Sequence, residues 1–419
     1  MCDIIVLGAG VAGLTSAYTL AREGFTVTVI DAGAGPAEDG ASFGNGAQLS
    51  YSYTDALASP SLVANLPKLL LGQDPAFRLT PNLSPRFWAW SLSFLANATQ
   101  TAFERNTVAV LNLAMESREQ FGDISQKVDF DYRKVGKLVL YSTHEAVRKA
   151  EVLSHLKNRY GAQLRVLTTE EVIDREPALA DYGHTFAGAL WSPLDEAGDS
   201  LLFCRNLRTL LEDDYGVRFQ FGTTVKALRS QAGKIVAIAT DDGEICCDRA
   251  VIALGAWSAA IARTVGIRLP IWAMQGYSIT VPAMRGAPSV SVTDTARKVV
   301  FCRIGDRLRI AGLADIGGAR PVFQQKRFNT LLQAAKEAFP NAGDFSGDVN
   351  AWTSVRPMTP NSQPIVGSSA ITGVYLNCGH GSLGWTLSMA TATRLAKCVV
   401  EHERIRHDPC RPELKATER

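Results

Sequence analysis

No stretch of this chain stays apolar for the roughly 18 residues a membrane-spanning helix requires. No basic region precedes the first apolar run either, since Asp3 stands there instead. Neither a crossing helix nor a secretory leader is therefore expected. A formal net charge of +2 with no dense Lys/Arg run argues against a nucleic-acid partner. The eight cysteines (Cys2, Cys204, Cys246, Cys247, Cys302, Cys378, Cys398 and Cys410) form neither CxxC nor any other metal-ligand spacing, so no metal is expected. Without a secretion signal they read as reduced cytoplasmic thiols. Cys246 and Cys247 fall in a probable strand, where their side chains face opposite ways. Composition is that of an ordinary globular protein, and 419 residues suffice for two domains.

What is present begins at once. An apolar run, Ile4–Leu7, enters Gly8-Ala9-Gly10-Val11-Ala12-Gly13. A helical stretch over residues 14–23 ends at Gly24, and a second apolar run, Thr26–Ile30, ends in Asp31. Strand, glycine turn, helix, strand and acid make a complete dinucleotide-binding unit rather than an isolated GxGxxG. Gly8 makes the tight turn, Gly10 lets backbone approach a pyrophosphate, and Gly13 lets helix and strand pack closely. The helix N-terminus offers unpaired N–H groups and a partial positive charge to the phosphates. Asp31 suits a ribose diol. The motif alone does not separate FAD from NAD.

The glycine-rich stretch after Asp31 reads as a loop along the cofactor, with Ser42, Gly44, Asn45, Gly46 and Gln48 as its polar or permissive groups. Tyr51 and Tyr53 follow at a two-residue spacing that suits either a pocket wall or one face of a strand. Residues 60 to 190 mix helical and strand patterns. The apolar segments Ser61–Leu71 and Phe87–Leu95 read as helices packed on the fold, with contact to a membrane surface as the alternative; neither has a Lys/Arg-rich polar face. The segment DEAGD from Asp195 reads as a loop before a helix over about 201–215. A buried strand, Arg249–Leu254, ends in Gly255-Ala256-Trp257, where a doubly wound sheet brings backbone to a nucleotide. QGYSITVP, KVVFCRIGD and RLRIAGLAD read as strands of an antiparallel sheet. Near the C-terminus, Arg356 precedes Pro357 in an extended dipeptide. A strand over Val374–Asn377 leads through Gly379-His380-Gly381-Ser382-Leu383-Gly384-Trp385 into a helix. His380 invites a general-base role, though a histidine between two glycines is more often positional.

GAGVAG with Asp31, SFGNGAQ, DEAGD, QGYSITVP, VRPMTPNSQPIVG and CGHGSLGWT, in this order, resemble the FAD-dependent D-amino-acid dehydrogenases of the D-amino-acid, glycine and sarcosine oxidase group. The resemblance runs to about residue 400. It implies an α/β fold: a Rossmann-like FAD-binding domain (1–50, 195–270 and 355–410) interleaved with an antiparallel-sheet α+β substrate domain (51–194 and 271–354), then a tail, 411–419. It implies non-covalent FAD held by Gly8, Gly10, Val11, Ala12, Gly13, Asp31 and Ala32. Ser42, Asn45, Gly46, Ala47, Gln48 and Val225 add to that set, with Gly255 and Trp257. The C-terminal contribution is Gly379, Gly381, Ser382, Leu383, Gly384, Trp385 and Thr386.

The same resemblance assigns Arg356 and Tyr277 to the substrate carboxylate, with Tyr53, Tyr51, His380 and Gly381 around the substrate. It implies oxidative deamination of D-amino acids, with electrons passed to a quinone or another carrier, in the cytoplasm or peripherally at the inner membrane. An oxidase of glycine, sarcosine or another secondary amine, a D-hydroxyproline-type dehydrogenase, and a non-catalytic FAD-binding protein are the alternatives. Four positions depart from the family pattern: the order Gly46-Ala47 is reversed, SYSYTDALASP replaces a Pro/Trp-containing stretch, and Gln275 and Asn361 replace Lys and Asp.

Overall fold

The computed structural model describes residues 3–406 except 39, 81, 319, 320 and 348. Its first sheet has six strands, in the order Ile365–Ser368, Val374–Cys378, Ala250–Ile252, Asp3–Leu7, Thr26–Ile30, Arg218–Gln220. All neighbours run parallel except the antiparallel edge pair Ile365–Ser368 and Val374–Cys378. The central strands are apolar runs because both faces are covered. On one face the helices Val11–Arg22, Gln100–Ile124, Ser200–Tyr215 and Gly384–Arg406 share a core with Leu14, Phe121, Phe203 and Trp385. On the other lie the antiparallel strands Val225–Gln231, Lys234–Thr240 and Glu244–Cys246, together with the short helix Ser258–Arg263. This sheet draws strands from three separated parts of the chain, as a doubly wound nucleotide fold does.

The second sheet runs Asn350–Met358, Trp272–Pro282, Arg307–Ile316, Val299–Ile304, Ser291–Asp294, Lys137–Tyr141, Gly188–Ser192, Arg165–Leu167, with Phe77–Leu79 also paired to Arg307–Ile316. It is not wholly antiparallel. Ser291–Asp294 runs parallel to Lys137–Tyr141, and Phe77–Leu79 runs parallel to Arg307–Ile316. Segments far apart in sequence can pair in parallel because long crossovers join them, whereas adjacent hairpins cannot. Helix Gln325–Ala338 packs on this sheet through Phe328, Leu331 and Ala335.

Two local readings change. DEAGD is not all loop: Glu196–Ala197 pairs antiparallel with Gln48–Leu49, and Asp199 then caps the helix Ser200–Tyr215 by accepting from the Leu201 and Leu202 amides. The strand Ser291–Asp294 escapes the sequence reading because it is only four residues long.

Candidate active site

The glycine turn is shaped by packing at two positions and open at the third. Gly8 has φ +105°, and a Cβ there would lie 2.6 Å from the Ala253 carbonyl oxygen. A Cβ on Gly13 would lie 1.8 Å from the Gly8 carbonyl oxygen, so neither site tolerates a side chain. At Gly10 a Cβ would meet only Ser42 Oγ, at 3.4 Å. The protein's own packing thus does not require glycine at position 10. Ser42 Oγ accepts from the Val11 amide at 3.1 Å, at the start of the helix. The Asp31 carboxylate is fixed by the Ala9 amide at 2.6 Å and the Gly33 amide at 2.8 Å.

From this turn a cavity of about 730 Å³ extends to the second sheet. It brings together most of the residues singled out above. Gly8, Gly10, Val11, Ala12, Asp31, Ala32, Ser42, Asn45, Gly46 and Gln48 line it, as do Tyr53, Val225, Gly255, Trp257 and Tyr277. So do Arg356, His380, Gly381, Ser382, Leu383, Gly384 and Trp385. Five of the named residues stand outside its lining. Gly13 packs against Gly8, and Gly379 against Thr359 and Ile271. Ala47 is buried, its amide bonded to Asn45 Oδ1 at 2.8 Å. Thr386 Oγ1 accepts from the Ser50 amide at 2.9 Å. Tyr51 is fully buried and donates to Glu196 Oε2 at 3.0 Å, so its hydroxyl is spent inside the core rather than on a pocket. Alternation along Tyr51-Ser52-Tyr53 does not put both rings on the cavity.

Arg356 is partly buried, and its Nη1 donates to the Leu313 carbonyl at 3.1 Å. Burial pulls its affinity for the proton down and the Asp315 charge raises it; a guanidinium stays charged regardless. Its position depends on a β-bulge. Between Gln275 and Tyr277 one strand advances two residues while its partner advances three, from Asp315 to Gly312. Leu313 occupies the extra place at φ +63°, a left-handed conformation that a bulky residue rarely adopts. The bulge breaks strict alternation, so Leu313 and Ala314 both line the cavity. Asp315 is buried away from it in ion pairs with Arg327 at 2.6 Å and Arg78 at 2.9 Å.

Tyr277 Oη accepts from Gln275 Nε2 at 3.0 Å. Desolvation raises its hydroxyl, with a smaller push from Asp315, so it serves as a neutral donor. His380 Nε2 and Thr391 Oγ1 lie 3.0 Å apart. Burial holds that imidazole at about 4, so it is neutral at ordinary pH. The Tyr53 hydroxyl is pushed up by burial, and the Lys137 ammonium lies 4.4 Å above its ring. The sequence reading missed Lys137, Ser50 and Trp352 as cavity residues. The strand beginning at Lys137 was legible, but its neighbours in the sheet were not.

FAD fits these residues. The open space at Gly10 is a cradle that a side chain would fill. Ser354 Oγ and Asn377 Oδ1 are buried with no hydrogen-bond partner among the described residues, and both residues line the cavity. Among the described residues no cluster of ligands suits a metal ion.

Similarity to known proteins agrees. Residues 3–398 match the family described as FAD dependent oxidoreductase. A D-amino acid dehydrogenase of Methylobacterium sp. (strain 4-46) is 38% identical over 411 residues, covering 97% of each chain. That of Vibrio vulnificus (strain YJ016) is 35% identical, covering 94% of this chain and 95% of its own. Among solved structures, glycine oxidase from Geobacillus kaustophilus superposes with a TM-score of 0.71 at 22% identity, over 96% of this chain and 95% of that one. L-proline dehydrogenase from P. horikoshii gives 0.71 at 18%, over 96% and 94%. With a family match spanning almost the whole chain, and with a nucleotide turn and an arginine lining one cavity, the chain belongs to the FAD-dependent oxidoreductases and is an enzyme with FAD as its cofactor.

Proposed function

We propose that this enzyme oxidises D-amino acids to 2-oxo acids and ammonia and passes the electrons to a quinone or another carrier. The observation that carries the reading is Arg356, a partly buried guanidinium on the cavity wall that donates to the neutral Leu313 carbonyl. The sequence kinship to D-amino acid dehydrogenases supports the substrate class.

The turn Gly8–Ala12 and the helix behind it would hold the pyrophosphate of FAD, and Asp31 the ribose. Val225 and Gly255–Trp257 would flank that end, while residues 381–384 and Gln48 would lie toward the flavin. FAD, when bound, supplies the acceptor for the hydride leaving the substrate Cα. The chain supplies orientation. The Arg356 fork takes the α-carboxylate in two parallel hydrogen bonds, fixing direction as well as place. Tyr277 adds a neutral donor. His380, neutral and tied to Thr391, shapes the wall near Gly381 and is a weak base there. The amine must enter unprotonated, and water hydrolyses the imino acid afterwards.

For the electron carrier, two helices bear on the reading. Trp88, Leu92 and Leu95 are exposed at i, i+4 and i+7 on helix Pro85–Ala96. Leu70 and Leu71 are exposed at the end of helix Pro60–Leu70. Such an apolar stripe suits peripheral contact with a membrane that contains a quinone. Among the described residues no helix is long and apolar enough to cross one.

Anaerobic titration tests the central reading. D-amino acids should bleach the flavin of the purified holoenzyme, and their L-enantiomers should not. Equal bleaching by both hands, or by neither, would remove it.

A further inference from the structure

A lysine side chain is almost never fully buried unless it is paired. Among the described residues two are buried, Lys137 and Lys157, and they differ. Lys157 Nζ forms an ion pair with Asp55 at 2.7 Å. Lys137 makes no such pair among the described residues; its Nζ donates to a neutral hydroxyl, Ser50 Oγ, at 2.9 Å. The face of Tyr53 lies beneath it, 4.4 Å from the ring centre. Neither neighbour cancels the charge, and Lys137, Ser50 and Tyr53 all line the cavity.

The nearest acid in charge terms, Asp195, makes no hydrogen bond or ion pair with that ammonium among the described residues, and its Oδ2 has no partner there. Asp195 Oδ1 accepts from the Ser52 amide at 2.8 Å and from Ser192 Oγ at 2.9 Å. Burial pushes the Asp195 carboxyl toward its neutral form. Burial likewise lowers the Lys137 ammonium to about 8, which still leaves it mostly charged at neutral pH. A buried cation with no anion of its own is costly. An anionic ligand group offsets that cost when it enters.

Lys137 and Arg356 approach the cavity from strands far apart in one sheet. Four strands stand between Asn350–Met358 and Lys137–Tyr141 in the sheet order. The two cations therefore enter the cavity from separate strands of the sheet. Between them the sheet presents small or uncharged side chains, among them Gly276, Ser278, Val300 and Ala311, and Lys298, which also lines the cavity, is ion-paired with Asp74.

We infer that Lys137 is a specificity-determining residue which takes a second, distal carboxylate, making dicarboxylic D-amino acids the preferred substrate class. This rests on Arg356 holding the α-carboxylate. Selection by a charged pair in a desolvated site is strong, because the matching amide leaves the ammonium uncompensated.

The test compares acids with uncharged analogues on the full-length holoenzyme: D-glutamate against D-glutamine, and D-2-aminoadipate against D-norleucine, in wild type, K137M and K137Q. Wild type should favour at least one acid by about tenfold or more in kcat/KM, a scale that one charge-assisted contact supplies. In both variants that ratio should fall below about threefold. No acid preference in wild type, or a ratio unchanged in the variants, overturns the inference. A proportional fall for acid and analogue does so too, since Lys137 would then serve a step common to all substrates. Binding gives a readout independent of turnover. Adipate should raise the unfolding temperature of wild-type holoenzyme more than butyrate does, and the excess should vanish in K137M. If no amino acid is oxidised but adipate still discriminates, the activity reading fails while the second-carboxylate site stands. If adipate and butyrate protect alike, the site fails.

Discussion

Gly276 and Arg356 lie on adjacent strands, and a Cβ built on Gly276 would fall 2.3 Å from Arg356 Nη2. The bare backbone at 276 makes room for the guanidinium. Gly276→Ala should therefore leave the fold and the FAD content intact, because the strand needs no left-handed residue there, yet push the fork aside. Displacement of about 1 Å in a substrate anchor costs on the order of a hundredfold in kcat/KM. Arg356→Lys, which keeps charge but loses the fork, should lose roughly 2–4 kcal/mol of transition-state binding. Steady-state kinetics decide: a Gly276→Ala enzyme within threefold of wild type would mean the guanidinium is not held where the carboxylate binds.

Substitutions in the glycine turn should separate folding from cofactor retention. Gly13→Ala drives a methyl into the Gly8 carbonyl, 1.8 Å away, and should impair folding itself. At position 10 an added Cβ meets no backbone, and Gly10→Val should give a folded protein that loses FAD. Cooperative unfolding with little bound flavin is the expected signature of the second, and full flavin occupancy in Gly10→Val would contradict the assignment. Acid precipitation of wild type should release all of its flavin, since the link is expected to be non-covalent.

Acid should weaken the protein partly through His380. Its folded-state pKa of about 4 lies below the ordinary value near 6.5. Between these values the unfolded chain binds the proton and the folded one does not, so stability rises with pH through that window. The contribution is fully present above about pH 6.5 and is lost as pH falls toward 4, on the order of 3 kcal/mol. Denaturant melts of the holoenzyme from pH 7 to 4 should show a shallower loss in His380→Gln. Parallel curves for the two proteins would remove His380 from the account.

The electron acceptor follows from charge near the flavin end. A fixed cation there promotes reaction with oxygen. In the strand Arg307–Ile316 the cavity-lining residues, Ala311, Gly312, Leu313 and Ala314, carry no charge, while Asp315 turns away into its ion pairs. Lys137, with its proton affinity lowered by burial, is assigned above to the substrate. Turnover with a quinone analogue or a dye should thus exceed turnover with air by at least about tenfold, some 1.4 kcal/mol in barrier. Stoichiometric peroxide at the dye-linked rate would place the enzyme among the oxidases.

Sedimentation with liposomes examines the exposed stripe. Wild type should partition to vesicles of total bacterial lipid, and Trp88→Ser with Leu92→Ser should not. Equal recovery in both supernatants would sink the membrane proposal.

The sequence by itself determined the nucleotide half. Strand, glycine turn, helix and Asp31 are contiguous, and each step rests on local physics: period, glycine sterics and helix polarity. The order of motifs likewise carried Arg356, Tyr277 and the C-terminal glycine turn to the cavity. What only the tertiary structure decided is non-local. Tyr51 and Tyr53 look equivalent in sequence, yet one is spent on Glu196 and the other faces the cavity. The bulge at Leu313 arises from registry between strands more than thirty residues apart, which no local pattern encodes. Lys137 reads as the polar start of a strand, an ordinary surface position. It becomes a buried cation because Ser291–Asp294 and Gly188–Ser192 close on either side of it, and strand partners are chosen by the whole packed sheet rather than by the strand.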